Sequence, residues 1–178
     1  AGMGISGIVT KQLGDSSQKI SFISTDATSI SYKGMPAGRW WDMQYRDLEE
    51  IKKIPGIKLA GAVGYSNWGG KMVCDGISYD ISYTGYDAAF QEIDKIGMLA
   101  GRLLNDIDMD MRRKVCLLSR RTAENILGDN DYQRVLGKKV GIDGIYYTVV
   151  GVYEKGQSGF TFTSPHTVIA PYSTIDYL

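Results

Sequence analysis

Histidine is almost missing from this 178-residue sequence: His166 is the single one. A zinc site would therefore need mostly carboxylates, which is not how structural or hydrolytic zinc is usually held. A serine hydrolase would have to use His166 as its base, and the nearest nucleophile-elbow string, GYSNW around Ser66, lacks the closing glycine of that motif. Cysteine is scarce too. Cys74 and Cys116 lie far apart inside the apolar runs KMVC and KVCLL, where a thiol pKa tends to rise and nucleophilic use is disfavoured. They read as buried thiols, with a disulfide as the alternative. Lys plus Arg and Asp plus Glu both number 20, so the basic surplus that phosphate neutralisation requires is absent, and nucleic acid is excluded as a partner. No apolar run approaches the ~20 residues of a membrane-spanning helix, and no charged start leads into an apolar stretch as in a signal peptide.

Proline is limited to 4 residues, whereas glycine reaches 22 and tyrosine 12. That balance favours many short strands joined by tight turns, in an α+β chain. Strands are expected at 20–23 and 30–32, then a loop, GMPAGRWWD. A helix follows over 45–54, YRDLEEIKKI, with Leu48, Ile51 and Ile54 on one side, a Glu49 to Lys53 pair and Pro55-Gly56 as a stop. A strand from Ile57 completes a strand, helix, strand unit. Two Asp-Gly pairs, Asp75-Gly76 and Asp143-Gly144, lie between apolar runs and predict hairpins, because both central residues of a type I′ turn need positive φ. After the first turn, Ile77, Tyr79, Ile81 and Tyr83 alternate with Ser78, Asp80, Ser82 and Thr84, predicting one buried and one wet face. After the second, both alternating sets are largely apolar. That predicts a central strand, with a bulge or close backbone contact at Gly151. Between the hairpins the pattern gives a short helix at 86–93, a loop over GMLAGRLLNDIDMDMRRK, a buried strand VCLLS and a helix at 122–127 ended by Gly128.

Other chemistry is weak. GMGISG at the start has the spacing of a dinucleotide loop, but no strand precedes it. Asp106, Asp108 and Asp110 lack the glycine and distal glutamate of a calcium loop and read as a solvated loop. Trp40, Trp41 and Trp68 are the candidate partner-contact residues, as a sugar or peptide platform or as plugs of a seam between lobes.

The order of signals is more informative than any one of them. DLEEIKKIPGI, GISYDISYTGYDAAF, IGMLAGRLLNDIDMDMRRKVCLLSRRTAENILG, VLGKKVGIDGIYYTVVGVYEKG and TVIAPYSTI follow one another, and this succession resembles the periplasmic core domain of MacB-type, FtsX-like ABC transporter permeases. The resemblance implies two lobes, a βαβ-containing Porter-like lobe with an inserted β-rich Sabre-like lobe. Residues 1–66 would begin the Porter-like lobe, 67–159 form the Sabre-like lobe, and 160–178 return to the Porter-like lobe, whose second half is not seen. It also implies a non-catalytic domain without cofactor or metal, facing the periplasm from the inner membrane. Such a domain would relay ATP-driven helix motion to cargo or partners. The expected partners are an ABC ATPase, a periplasmic adaptor, an outer-membrane channel and, in the full-length transporter, a second copy. Apolar segments of ~20 residues are then expected before Ala1 and after Leu178. The rival readings are a secreted ligand-binding module using the three tryptophans and a small hydrolase around Ser66 and His166.

Overall fold

The computed structural model describes residues 4–5, 7–12, 20–40, 43–155 and 166–175, with the side chains of 4–12 and 65–68 outside that description. In chain order the described strands are β1 Gly4–Ile5, β2 Gly7–Gln12, β3 Ile20–Ile23, β4 Met43–Gln44, β5 Ile57–Cys74, β6 Ile77–Tyr86, β7 Ile96–Gly101, β8 Val115–Ser119, β9 Lys139–Ile142, β10 Ile145–Lys155 and β11 Thr167–Pro171. The helices are α1 Tyr45–Lys52, α2 Ala88–Ile93, α3 Asp106–Asp110, α4 Arg120–Leu127 and α5 Tyr172–Ile175. No helix among the described residues is long and apolar enough to cross a membrane.

Nine strands form one sheet in the order β3-β2-β5-β6-β11-β8-β10-β7, and β9 pairs with both β10 and β5. That last pairing turns six strands, β5, β6, β11, β8, β10 and β9, into a ring. It is closed by Met72 opposite Ile142 and Val73 opposite Gly141. Each ring strand sends two residues at i and i+2 to the same side, as the pleat requires: Met72 and Cys74, Ile81 and Tyr83, Val168 and Ala170, Cys116 and Leu118, Tyr147 and Val149, Val140 and Ile142. All are at most 4% exposed and belong to one apolar cluster. The alternate residues Leu117 and Ile169 belong to a second cluster with Leu48 of α1, Phe90 of α2, Val63 and Tyr86. The protein thus has a filled ring and a helix-covered layer, sharing strands as their common wall.

Local chemistry explains the elements. Asp75 (φ 49) and Gly76 (φ 80), like Asp143 (φ 48) and Gly144 (φ 82), adopt the left-handed pair that a tight hairpin needs. Asp87 accepts from the Phe90 amide at 2.7 Å and starts α2, Ser119 accepts from the Thr122 amide and starts α4, and Gly128 at φ 74 ends it. The bulge expected at Gly151 is present. The β10–β8 register shifts between Val149 and Gly151, and a Cβ on Gly151 would lie 2.5 Å from the Arg102 carbonyl oxygen.

Several expectations are corrected. Residues 30–32 form no strand. The chain turns there through Lys33 and Gly34, with only Tyr32 and Met35 bridging. The strict alternation over 77–84 fails: Ser82 and Thr84 are buried, and Ile77 is 57% exposed. The second half of β6 lies against the helix layer, to whose cluster Tyr86 belongs, while Ile77 opens the strand directly after the Asp75-Gly76 turn. Ser82 shares a 2.7 Å hydroxyl bond with Thr167. The presumed loop over 97–114 contains β7 and α3, and α1 ends at Lys52 rather than Ile54. Its ion pairs are Glu49 with Lys52 and Glu50 with Lys53, in place of Glu49 with Lys53. Apart from these corrections, β5 runs on through residues 66 and 67, and β11 lies between β6 and β8.

Candidate functional site

Beyond β3 the chain makes an excursion whose ends are clamped. The Thr28 amide donates to the Arg39 carbonyl at 2.9 Å, and the Arg39 amide donates to the Thr28 hydroxyl at 3.1 Å. Its tip is a two-residue turn, closed by reciprocal 3.0 Å bonds between Tyr32 and Met35. Lys33 and Gly34 supply the positive φ values. Arg39 stiffens the base by donating to the Pro36 carbonyl at 2.9 Å, and the Lys33 ammonium stands 5.3 Å from the centre of the Tyr32 ring.

This loop turns its apolar side chains outward. Ile30 is 76%, Tyr32 62% and Trp40 75% exposed, with Met35 and the neighbouring Phe22 also outside. A short loop that exposes several large apolar groups beside Lys33 and Arg39 has a composition common in contact surfaces. Of the three tryptophans, Trp40 belongs to it. Trp41 lies outside the described residues, and Trp68 contributes described backbone to β5 but no described side chain. Sequence reasoning missed Ile30 and Tyr32 because it read them as a strand, and it placed Met35 in the following loop without assigning it a contact. The Lys-Gly pair at 33 and 34 was the signal for a turn.

The other candidates do not assemble. Cys74 and Cys116 are free and buried. Burial pushes both thiols up, Cys116 strongly. His166 stands in the turn before β11. Asp106 and Asp110 are exposed while Asp108 is fully buried, so the three carboxylates do not converge. Among the described residues no group of three or more His, Cys, Asp or Glu is placed to hold a metal. The GMGISG glycines Gly4 and Gly7 belong to β1 and β2, and Gly2 lies outside the described residues.

Buried charge is instead used to hold the connections. Asp108 accepts from Arg102 through both oxygens, at 2.6 and 3.0 Å, and from the Asn105 amide at 3.1 Å, with Arg113 at 3.8 Å. Burial alone would raise its pKa, but these partners hold it below the usual carboxylate range. Asp94 accepts from the Tyr86 hydroxyl at 2.8 Å and pairs with Lys155 at 3.0 Å, tying α2 to the sheet. Burial pushes the Asp87 carboxyl up to about 6, against the hydrogen bonds to Ala62 and Phe90 and the charge of Lys52.

Comparison with known proteins matches residues 2–178 to the family described as the MacB-like periplasmic core domain. The macrolide export ATP-binding/permease protein MacB of Campylobacter jejuni is 23% identical over 133 residues, which are 75% of this chain and 20% of that protein. The chain therefore spans about a fifth of the curated relative it matches. The periplasmic region of MacB from Actinobacillus actinomycetemcomitans superposes with a TM-score of 0.62 at 17% identity, covering 97% of this chain and 68% of that one. The extracellular domain of the noncanonic ABC-type transporter YknZ from Gram-positive bacteria gives 0.61 at 20% identity, covering 75% and 64%. These structures share the fold.

Proposed function

The chain belongs to the MacB-like periplasmic core domain family, and from that premise we propose that it works as the non-catalytic, extracytoplasmic domain of an ABC transporter permease, relaying ATP-driven motion of membrane helices to proteins or cargo outside the inner membrane. The observation that carries this reading is one strand. β5 runs for 18 residues from the helix-covered layer, where Ala60, Ala62 and Val63 are buried, to the ring, where Met72 and Cys74 are buried. A displacement applied to one core is passed to the other through a hydrogen-bonded backbone and two close-packed interiors, which transmit strain because they compress little. In this reading 1–66 and 160–178 act as the Porter-like part and 67–159 as the Sabre-like part. The ATPase acts from the other side of the membrane, and the full transporter is a homodimer.

Partner contact is assigned to Trp40 and the loop it shares with Ile30, Tyr32 and Met35, with Trp41 and Trp68 as further contacts. A periplasmic adaptor or an outer-membrane channel is the expected kind of partner. The test is made in the full-length transporter in lipid. Two spin labels on ring strands, at Lys71 of β5 and Glu154 of β10, should keep their separation through the ATP cycle, while labels at Lys71 of the two subunits should change theirs. If the distance inside one ring changes as much as the distance between subunits, the domain does not act as a stiff relay. Trp40→Ala should weaken adaptor capture without lowering the melting temperature. Unchanged capture would remove the loop from the contact.

A further inference from the structure

The ring is stoppered at one end by α5, whose Ile175 joins the ring cluster. Beside that stopper is a cavity of about 270 Å³ lined by Arg112, Lys114, Ile145, Tyr147, Ser173 and Thr174. Two features make it more than a packing gap. Tyr147 is 1% exposed, and its hydroxyl has no hydrogen-bond partner among the described residues, a condition that costs free energy unless something enters to accept its proton. The remaining polar lining is also one-sided. The Ser173 hydroxyl already donates to the Met109 carbonyl at 2.8 Å and the Thr174 hydroxyl to the Pro171 carbonyl at 2.7 Å, while the exposed Arg112 and Lys114 bring two cations to the open side. Lys114 is held against the tyrosine strand, since its carbonyl accepts from the Thr148 amide at 2.9 Å. Burial, with Cys116 and Asp143 adding to it, pushes the Tyr147 phenol up to about 12, so it remains a donor at neutral pH. Asp143 already accepts from the Tyr83 hydroxyl at 2.7 Å and is not part of the cavity lining.

We propose that this cavity binds a small anionic amphiphile, a short acyl chain ending in a carboxylate, with the chain against Ile145 and the tyrosine ring and the head group between the Tyr147 hydroxyl and Lys114. The volume suits about nine groups of water size at ~30 Å³ each, which is the size of an eight-carbon acid. Apolar walls with a few convergent donors are the usual composition of a small-molecule site. The inference does not depend on the relay role.

The test titrates the isotope-labelled 178-residue protein with sodium octanoate, and in parallel with octanol and octylamine, following backbone amide resonances. Octanoate should saturate at one molecule per chain and move the amides of Ile145, Tyr147, Ser173 and Thr174 together, with the neutral and cationic analogues about tenfold weaker or worse. Lys114→Gln should weaken octanoate several-fold and Lys114→Glu about tenfold. Tyr147→Phe, which removes only an unpaired hydroxyl, should weaken it several-fold while the melting temperature holds or rises. The proposal is overturned if octylamine or octanol binds as well as octanoate. It is equally overturned if the shifts spread without saturating, or if the Lys114 and Tyr147 variants bind octanoate unchanged, in which case the cavity holds water alone.

Discussion

The inside of the strand ring and the layer under α1 and α2 share β5, β6, β8 and β11, yet they are built on different terms. The ring interior is hydrocarbon apart from two inert thiols and the hydroxyls of Tyr83 and Tyr147, and its polar atoms are few because strands satisfy their own backbone groups by pairing. The helix-covered side has to accommodate helix starts and a long connection from β7 to β8, so it carries Asp87, Gln91, Asp94 and Asp108, each at most 2% exposed and each with hydrogen-bond partners. The difference teaches that polar burial in this fold follows chain connections. A closed ring needs no caps, whereas every helix that begins against a sheet leaves amides that must be met.

That contrast can be broken by substitution. Leu118→Ala, fully buried in the ring, should give the largest loss, about 3–5 kcal/mol, read by urea denaturation. A loss below 1 kcal/mol would mean that the ring is not a packed interior. On the helix side, Arg102→Met should cost about 3 kcal/mol by leaving Asp108 buried with the Asn105 amide and, as its one cation, the more distant Arg113. Asp108→Asn should cost less, because Arg102 is 42% exposed and can turn to water. The reverse order would contradict the assignment of Asp108 as the buried member.

pH sharpens the comparison further. The Asp87 pKa is raised, to about 6 when folded, against about 3.9 for an exposed aspartate. The folded state therefore binds this proton more tightly. Its contribution is complete below about pH 4 and lost as pH rises through about 6, amounting to roughly 3 kcal/mol at most. The Asp87→Asn variant should lose that part of the slope of stability between pH 4 and 6, and an unchanged slope would show that Asp87 does not titrate in that window. Asp108 works in the opposite sense: its pKa is lowered, so its contribution is present above about pH 4 and fades as pH falls through the lower folded value. The smallest effect is expected inside the ring. Tyr147→Phe should leave stability unchanged or raise it by up to about 1 kcal/mol, since the hydroxyl has no bond to lose.

Much of the local structure was legible. Asp75-Gly76 and Asp143-Gly144 marked both hairpins, Pro55-Gly56 marked the turn between α1 and β5, and the doubly apolar run from Ile145 marked the strand that pairs with β7, β8 and β9. The exposed loop after β3 was misread because Ile30 and Tyr32 look like strand residues when neighbours alone are consulted. β7 and α3 were hidden in a stretch whose glycines and aspartates resemble a loop. There Gly101, at φ 76, lets the chain pass the Val150 carbonyl, where a Cβ would stand at 2.2 Å, and Asp108 serves as a buried anchor.

By itself the sequence determined the two Asp-Gly turns, the doubly apolar strand β10 and the likeness to a transporter's core domain. All of these reside in side-chain types and spacings a few residues apart. The tertiary structure alone decided that six strands close on themselves, because the closing contact of Met72 and Val73 with Ile142 and Gly141 joins segments about 70 positions apart. It likewise decided that Lys114, Tyr147 and Thr174 border one cavity. Such pairings are selected by the total apolar surface they bury and the backbone groups they satisfy, quantities that belong to the assembled chain and to no window of it.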